Sequence, residues 1–257
     1  MNAATGTSGQ DTFVSHLIEL RSRLVKAAFA WVVVLIPLVT PPWFIAGKLY
    51  DFVAQPMINA LPAGSKMIAT GVISPFMIPF QIAMLAAFLV ALPVILYQAW
   101  AFVAPGLYKH EKRFVLPLIF SSTMLFYVGM AFCYFVVFKM VFSFIAQIAP
   151  SSITVAPDIE NYLNFVLGMF LAFGLAFETP VVVVVLVATG LVSVEKLREV
   201  RGYVMVGAFG VSAIATPPDA ASMFALAVPL CVLYEIGIIF ARFFVKPKAV
   251  EAEQVVG

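Results

Sequence analysis

Six apolar runs, with almost no charged residues inside them, divide the chain. Most of them are near the ~20 residues that an α-helix needs to cross the roughly 30 Å hydrocarbon core of a bilayer. The runs are continuous, whereas the strands of a membrane barrel alternate between apolar and polar positions. The pattern therefore predicts an all-α, polytopic membrane helix bundle with six transmembrane helices. The six runs are residues 27–44, 76–100, 114–138, 163–194, 203–215 and 220–241.

The last two runs are shorter than the others. Residues 203–215 number 13, which is about 20 Å of helix. The uncharged part of the sixth run, residues 220–234, numbers 15, about 22 Å. Both fall short of the hydrocarbon core, so the sequence predicts that the last two helices are short. They would then thin the bilayer, draw flanking polar groups into it, or lie against other helices.

Lys and Arg are distributed unevenly among the loops. Twelve of the fifteen lie before the first run, after the sixth, or in the loops that join runs two to three and four to five. Lys48, Lys66 and Lys139 make up the remainder and lie on the opposite side. Because basic residues are enriched in cytoplasmic loops, the N and C termini are both predicted to be cytoplasmic.

Composition supports the membrane assignment and excludes several other classes. The chain is 63% hydrophobic and 11% charged, with a mean hydropathy of +1.06, which fits neither a soluble globular domain nor a disordered chain. A net charge of +2 gives no basis for nucleic-acid binding. We expect one integral membrane domain over residues 1–257, with a cytoplasmic amphipathic helix at residues 1–23 and a flexible cytoplasmic tail at residues 242–257.

The segment before the first run carries an acidic residue with two interpretations. His16, Glu19 and Arg23 fall at positions i, i+3 and i+7, which places them on one face of a helix. Glu19 could form an i,i+4 ion pair with Arg23, worth a few tenths of a kcal/mol. It could instead bind a cationic side chain of a partner, and its spacing alone does not decide between the two.

Glu111 is the only acid in the loop between the second and third runs, among the basic residues Lys109, Lys112 and Arg113. One interpretation is ordinary local charge balance. However, Glu19 and Glu111 are the only glutamates in the short cytoplasmic stretches that lead into the first and third runs. Two carboxylates at the membrane surface could hold cationic side chains of a partner.

Glu178 interrupts the fourth run and is expected to lie near the middle of the bilayer. It is about 22 Å of helix from the outer end of that run, where an ionised carboxylate costs several kcal/mol. Pro180 follows it and Gly174 precedes it, so a kink with a freed backbone carbonyl is expected there. Glu178 is interpreted either as a functional acid that faces a cavity or as a structural group bonded to a neighbouring helix.

The sequence contains no catalytic constellation. Neither His16 nor His110 has partners at metal-ligand spacing, and no nucleotide-binding or nucleophile motif is present, so we expect no enzyme, no cofactor and no metal site. The function classes that remain are a receptor or scaffold for other proteins and a proton-coupled secondary transporter of small solutes that uses Glu178.

Five stretches together resemble the TatC family, the receptor subunit of the twin-arginine protein translocase. Each motif alone is weak, but their order and spacing agree over nearly the whole chain, from about His16 to Arg242. The stretches are residues 15–24 (SHLIELRSRL), 74–76 (SPF), 97–113 (YQAWAFVAPGLYKHEKR), 172–180 (AFGLAFETP) and the turn at 216–219 (TPPD).

The resemblance implies a function and partners. A TatC-like protein binds the twin-arginine signal peptides of folded precursor proteins in the bacterial cytoplasmic (inner) membrane. It recruits the single-span subunits TatB and TatA, and the proton-motive force drives export. It would sit in the lipid bilayer as part of a TatBC receptor complex, as a homo-oligomer and without nucleic acid.

The resemblance also implies roles for particular residues. Glu19 and Glu111 would bind the paired arginines, with Phe102 beside them. Arginine suits this role because its planar guanidinium meets a carboxylate through two parallel hydrogen bonds, which lysine cannot reproduce. The other implied residues are Glu178 as an intramembrane acid on the concave face of the bundle, Pro56 as a structural proline of the outer loop, and Asp219 at the end of the outer turn.

Overall fold

The computed structural model describes residues 7–40, 44–61, 66–103, 112–148, 156–216 and 220–244. These residues are helical almost throughout, and the only bridge among them is an isolated one between Ile68 and Asp158. The helices are α1 (Thr7–Val39), α2 (Phe44–Ala60), α3 (Ser74–Val103), α4 (Lys112–Phe132), a π-helical turn (Cys133–Val137), α5 (Phe138–Ile148), α6 (Ile159–Phe177), α7 (Thr179–Ala188), α8 (Val194–Glu199), α9 (Arg201–Ala215) and α10 (Ala220–Phe244).

The all-α membrane fold predicted from the apolar runs is confirmed. Five helical segments in the described residues are long and apolar enough to cross a membrane, and α9 is a shorter apolar helix at the position of the predicted fifth span. The five long segments are Val14–Val39, Ser74–Val103, Val115–Ile145, Ile159–Ala188 and Ser222–Phe243.

The prediction that the last two helices are both short is correct for one of them. Helix α9 has 15 residues, but α10 has 25, so the prediction of a short sixth helix was wrong. The sequence argument counted only the uncharged part of the sixth run, before Glu235, whereas the backbone hydrogen bonds of a helix continue past a charged side chain. Bilayer thinning is therefore expected beside α9 only.

The amphipathic segment and the first span form one continuous helix, the 33-residue α1. This helix is anchored to α3 by the Trp31 indole, whose Nε1–H donates a 3.1 Å hydrogen bond to the backbone oxygen of Met84. The apolar window of α1 has no buried residue. The outer faces of α1 are therefore open to lipid or to other membrane proteins.

Residues 1–174 form one of two compact units. Its core is rich in aromatic rings: Phe138 is fully buried and lies 5.4 Å, between ring centroids, from Phe142 and from Phe170. The ring of Phe126 packs so closely on Gly174 that a Cβ at residue 174 would overlap it. Glycine is therefore required at that crossing.

Pro93 lies inside helix α3 and has no N–H to donate to the carbonyl of Leu89, four residues earlier. The hydroxyl of Tyr127 on α4 donates a 2.6 Å hydrogen bond to that carbonyl. In lipid every backbone polar group needs a partner inside the protein. The tyrosine therefore satisfies the group that the proline leaves open, and it ties the second span to the third.

Residues 175–257 form the second compact unit. Its core joins α7, α8 and α10 through Val183, Leu197, Tyr234 and Ile238. The Tyr234 hydroxyl donates a 2.8 Å hydrogen bond to the backbone oxygen of Leu197, which fixes the short helix α8 against α10. The single membrane domain expected from the sequence stays a prediction.

The segment before α3 is fastened to the start of α6 on the side expected to face outward. The Thr70 amide and hydroxyl donate hydrogen bonds of 3.0 and 2.6 Å to Oδ2 of Asp158. Asp158 Oδ1 accepts from the amides of Glu160 and Asn161 and so caps α6. These bonds, with the Thr70 hydroxyl first among them, lower the pKa of Asp158 from its usual 3.8 to about 2.

We expect Asp158→Asn to loosen this connection, because a neutral amide oxygen is a weaker acceptor than a carboxylate. Amide hydrogen exchange at Thr70 should become faster, as measured by mass spectrometry. The pKa is lower in the folded state, so the contribution to stability is complete above pH 3.8 and is lost as the pH falls from there towards 2. Asp51→Asn, at an exposed acid on α2, is the matched control. Unchanged exchange at Thr70 in Asp158→Asn would contradict this role.

Candidate peptide-binding site

Glu19 and Arg23 form an ion pair along the exposed side of α1. Arg23 donates from Nε and Nη2 to Oε1 of Glu19, at 2.9 and 2.6 Å. The side chains are 24% exposed for Arg23 and 41% exposed for Glu19. The i,i+4 pair that the spacing allowed is therefore present. Its contribution is about 0.3–0.5 kcal/mol at this exposure.

Phe102, at the end of α3, packs against the same part of α1. Its ring stacks on the imidazole of His16, with 4.4 Å between centroids and 26° between planes. His16 and Glu19 are three residues apart, so they share a helix face. The structure thus places Phe102 beside the acidic face, and two of the three predicted binding residues are brought together.

His16 is the member of this group to which sequence reasoning gave no role. Its spacing placed it on the face of Glu19, but nothing in the sequence indicated that an aromatic ring 86 positions later would cover it. The stacking makes His16 the contact that holds the end of α3 against α1. This is a positioning role.

Two predicted site residues lie outside the described residues. Glu111 belongs to the stretch 104–111 and Asp219 to the stretch 217–219, both of which are undescribed. The arginine-binding role of Glu111 and the role of Asp219 in the outer turn remain predictions.

Pro56 lies inside α2 and changes the hydrogen bonding of the Phe52 carbonyl, four residues earlier. Because proline has no N–H, that carbonyl has no partner along the helix. The hydroxyl of Tyr134 donates a 2.6 Å hydrogen bond to it, and the Tyr134 ring stacks on the Phe52 ring at 4.6 Å. This geometry links α2 to the third span at the position of the proline.

Glu178 lies at the break between α6 and α7, where the kink was predicted. The Glu178 amide bonds to Leu175 rather than to the residue four positions earlier. The carbonyl of Ala176, which Pro180 leaves without an amide partner, accepts a 2.6 Å hydrogen bond from the Thr179 hydroxyl. Glu178 itself is 5% exposed, so its side chain is not in contact with lipid over most of its surface. The concave, partly hydrated face expected for it stays a prediction.

Fold and site together define a multi-pass helical membrane protein with a charged and aromatic surface at the N-terminal end of its first helix. The family model for TatC, the Sec-independent protein translocase protein, matches residues 15–229. The chain belongs to the TatC family, which confirms the resemblance found in its motifs.

Curated relatives and solved structures agree with this assignment. The chain is 49% identical over 240 residues to the Sec-independent protein translocase protein TatC of Escherichia coli (strain K12), covering 93% of this chain and 92% of that protein. It is 46% identical over 235 residues to TatC of Haemophilus influenzae, covering 91% and 90%. A crystal structure of the twin-arginine translocase receptor TatC superposes with a TM-score of 0.74 at 34% identity, over 88% of this chain and 98% of that one.

Proposed function

We propose that the chain is the twin-arginine signal-peptide receptor and core subunit of the Tat translocase, which exports folded proteins across the bacterial cytoplasmic membrane. The observation that carries this proposal is the family match over most of the chain, together with the charged and aromatic surface at the N-terminal end of α1. Family membership favours this function over a proton-coupled transporter of small solutes.

Glu19, Phe102 and Glu111 are proposed to bind the paired arginines. A guanidinium can meet a carboxylate through two hydrogen bonds and can stack on an aromatic ring at the same time. Glu19 already accepts two bonds from Arg23, so an incoming arginine has to share or displace them. Its net gain at Glu19 is therefore small, and Glu111 is expected to contribute more of the affinity.

The partners follow from the assembly to which the family belongs. We propose that TatB and TatA associate with the membrane-exposed helices and that the chain forms a homo-oligomer within a TatBC receptor complex. The window of α1 with no buried residue supplies a surface for lipid or for single-span subunits. In this proposal export is driven by the proton-motive force and needs no cofactor. Pro56 and Asp219 have structural roles on the outer side.

The proposal is tested with the full chain in lipid nanodiscs and a fluorescent signal peptide. We expect the Arg-Arg peptide to bind and a Lys-Lys variant of the same peptide to bind at least tenfold more weakly, since lysine cannot form the bidentate contact. A photocrosslinker at Val103, which is exposed and next to Phe102, should capture the Arg-Arg peptide. Equal affinity for the two peptides would contradict the assignment of a twin-arginine receptor.

Glu178 is proposed to act in transport rather than in folding. Glu178→Gln keeps the size and hydrogen-bonding capacity of the side chain, so membrane insertion and most transport should survive. Glu178→Leu should insert normally but transport poorly, because the buried polar group is lost. Export of a folded reporter in cells, with membrane levels as the control, checks both variants. Normal export by Glu178→Leu would mean that the residue has no part in transport.

A further inference from the structure

A cleft of about 480 Å³ opens along one face of α5 and the π-helical turn before it. We call it the Lys139 groove. Lys139, Ser143 and Gln147 form its polar row, at positions i, i+4 and i+8 of one helix. None of the three makes a hydrogen bond or ion pair with another residue in the described part of the chain. The groove lies wholly within the first compact unit and is separate from the surface that carries Glu19 and Phe102.

The apolar row of the groove runs beside the polar one. It consists of Phe135, Val136, Met140 and Phe144, all exposed. The π-helical turn contains one extra residue per turn relative to an α-helix, and Phe135 and Val136 both reach the open face within it. Phe135 and Val136 precede Lys139 in the chain, so these exposed apolar side chains lie on the bilayer side of it.

The depth of Lys139 along the third span matches the headgroups of the leaflet opposite the basic loops. Helix α4 starts at Lys112, at the predicted cytoplasmic surface. The 26 residues from Arg113 to Lys139 rise by roughly 39 Å, more than the ~30 Å hydrocarbon core and within the 40–45 Å that includes both headgroup layers. The ammonium group is thus at the level of lipid phosphates.

We propose that the Lys139 groove binds the headgroup of an anionic phospholipid from this leaflet. The ammonium group pairs with the phosphate, because opposite charges attract and Lys139 has no other partner among the described residues. Ser143, one helical turn further towards water, bonds to a headgroup oxygen. Phe135 and Val136, on the bilayer side, pack against the start of an acyl chain. The charged side chain of the groove thus lies next to exposed apolar side chains, as the phosphate of a phospholipid lies next to its acyl chains.

The experiment uses the full chain in detergent, titrated with phosphatidylglycerol or with zwitterionic phosphatidylcholine, and counts bound lipid by native mass spectrometry. The wild type is expected to retain one phosphatidylglycerol more tightly than phosphatidylcholine. Lys139→Gln should weaken phosphatidylglycerol binding about fivefold, which corresponds to the ~1 kcal/mol that one basic residue contributes near an anionic surface. Lys139→Arg should retain the binding, since it keeps the charge.

Lys48→Gln is the matched control, because Lys48 is also exposed and is also expected on the outer side. It should bind phosphatidylglycerol like the wild type. The proposal is overturned by any of three results: equal retention of the two lipids by the wild type, wild-type binding by Lys139→Gln, or an equal loss in Lys48→Gln. A loss in Lys139→Arg as large as that in Lys139→Gln would also overturn it, since charge would then not be the cause.

Discussion

Glu111→Arg is expected to abolish binding of an Arg-Arg signal peptide to the protein. The substitution removes a carboxylate and adds a like charge, so the incoming guanidinium loses an attraction and meets a repulsion. Loss of one partly buried arginine–carboxylate contact corresponds to about 1.5–3 kcal/mol, which is roughly ten- to hundredfold in affinity. Peptide titration in nanodiscs measures it.

The neutral variants separate charge from structure. Glu111→Ala should weaken binding less than Glu111→Arg, because it removes the attraction without adding repulsion. Glu19→Ala should have a smaller effect than Glu111→Ala, since Glu19 is already paired with Arg23. Glu195→Arg, on the short cytoplasmic helix α8, is the control for a general change of surface charge. Wild-type affinity in Glu111→Arg would exclude Glu111 from the binding site.

Gly237→Val is expected to destabilise the second compact unit by about 1–3 kcal/mol, the usual range for overpacking a closely packed contact. A Cβ at residue 237 would lie 2.9 Å from the Cα of Pro180 and 2.9 Å from the Cβ of Val183. The first of these is a backbone atom of the segment that contains the break at Glu178, so it cannot move aside as a side chain can. Thermal unfolding in detergent measures the loss.

The matched control is Gly207→Val on α9, because a Cβ at residue 207 would meet no atom within 4 Å. The same change there should leave the unfolding temperature unchanged or raise it slightly, since glycine is a poorer helix former than valine. If the two variants unfold at the same temperature, close packing at residue 237 does not contribute to stability. Gly237→Ala should fall between the wild type and Gly237→Val.

The spans could be predicted because they depend on composition over about twenty residues. Pro180 predicted the break beside Glu178, whereas the orientation drawn from charge asymmetry stays a prediction. The length of the sixth helix was underestimated, because only the part of the run before Glu235 was counted. A charge such as Glu235 interrupts an apolar run without interrupting the hydrogen bonds of the helix.

Contacts between distant positions were beyond sequence reasoning. The pair of Glu19 with Arg23 is local, and spacing suggested it. The stacking of His16 on Phe102 and the hydrogen bond from Tyr134 to Phe52 join helices far apart in the chain, and neither has a pattern within one helix that signals it. Glu19 and Phe102 are therefore brought together by His16, to which the sequence analysis assigned no role.

The hydroxyl groups that satisfy proline-freed carbonyls differ in when they become available during synthesis. The acceptor at Ala176 finds its donor three residues later. The backbone oxygen of Leu89 has no donor until Tyr127 is synthesised, 38 residues later. The backbone oxygen of Phe52 has none until Tyr134 is synthesised, 82 residues later. At 5–20 residues per second, the last delay is about 4–16 s. Helix α2 and the second span are thus synthesised with open backbone acceptors, which are satisfied only when the third span arrives beside them.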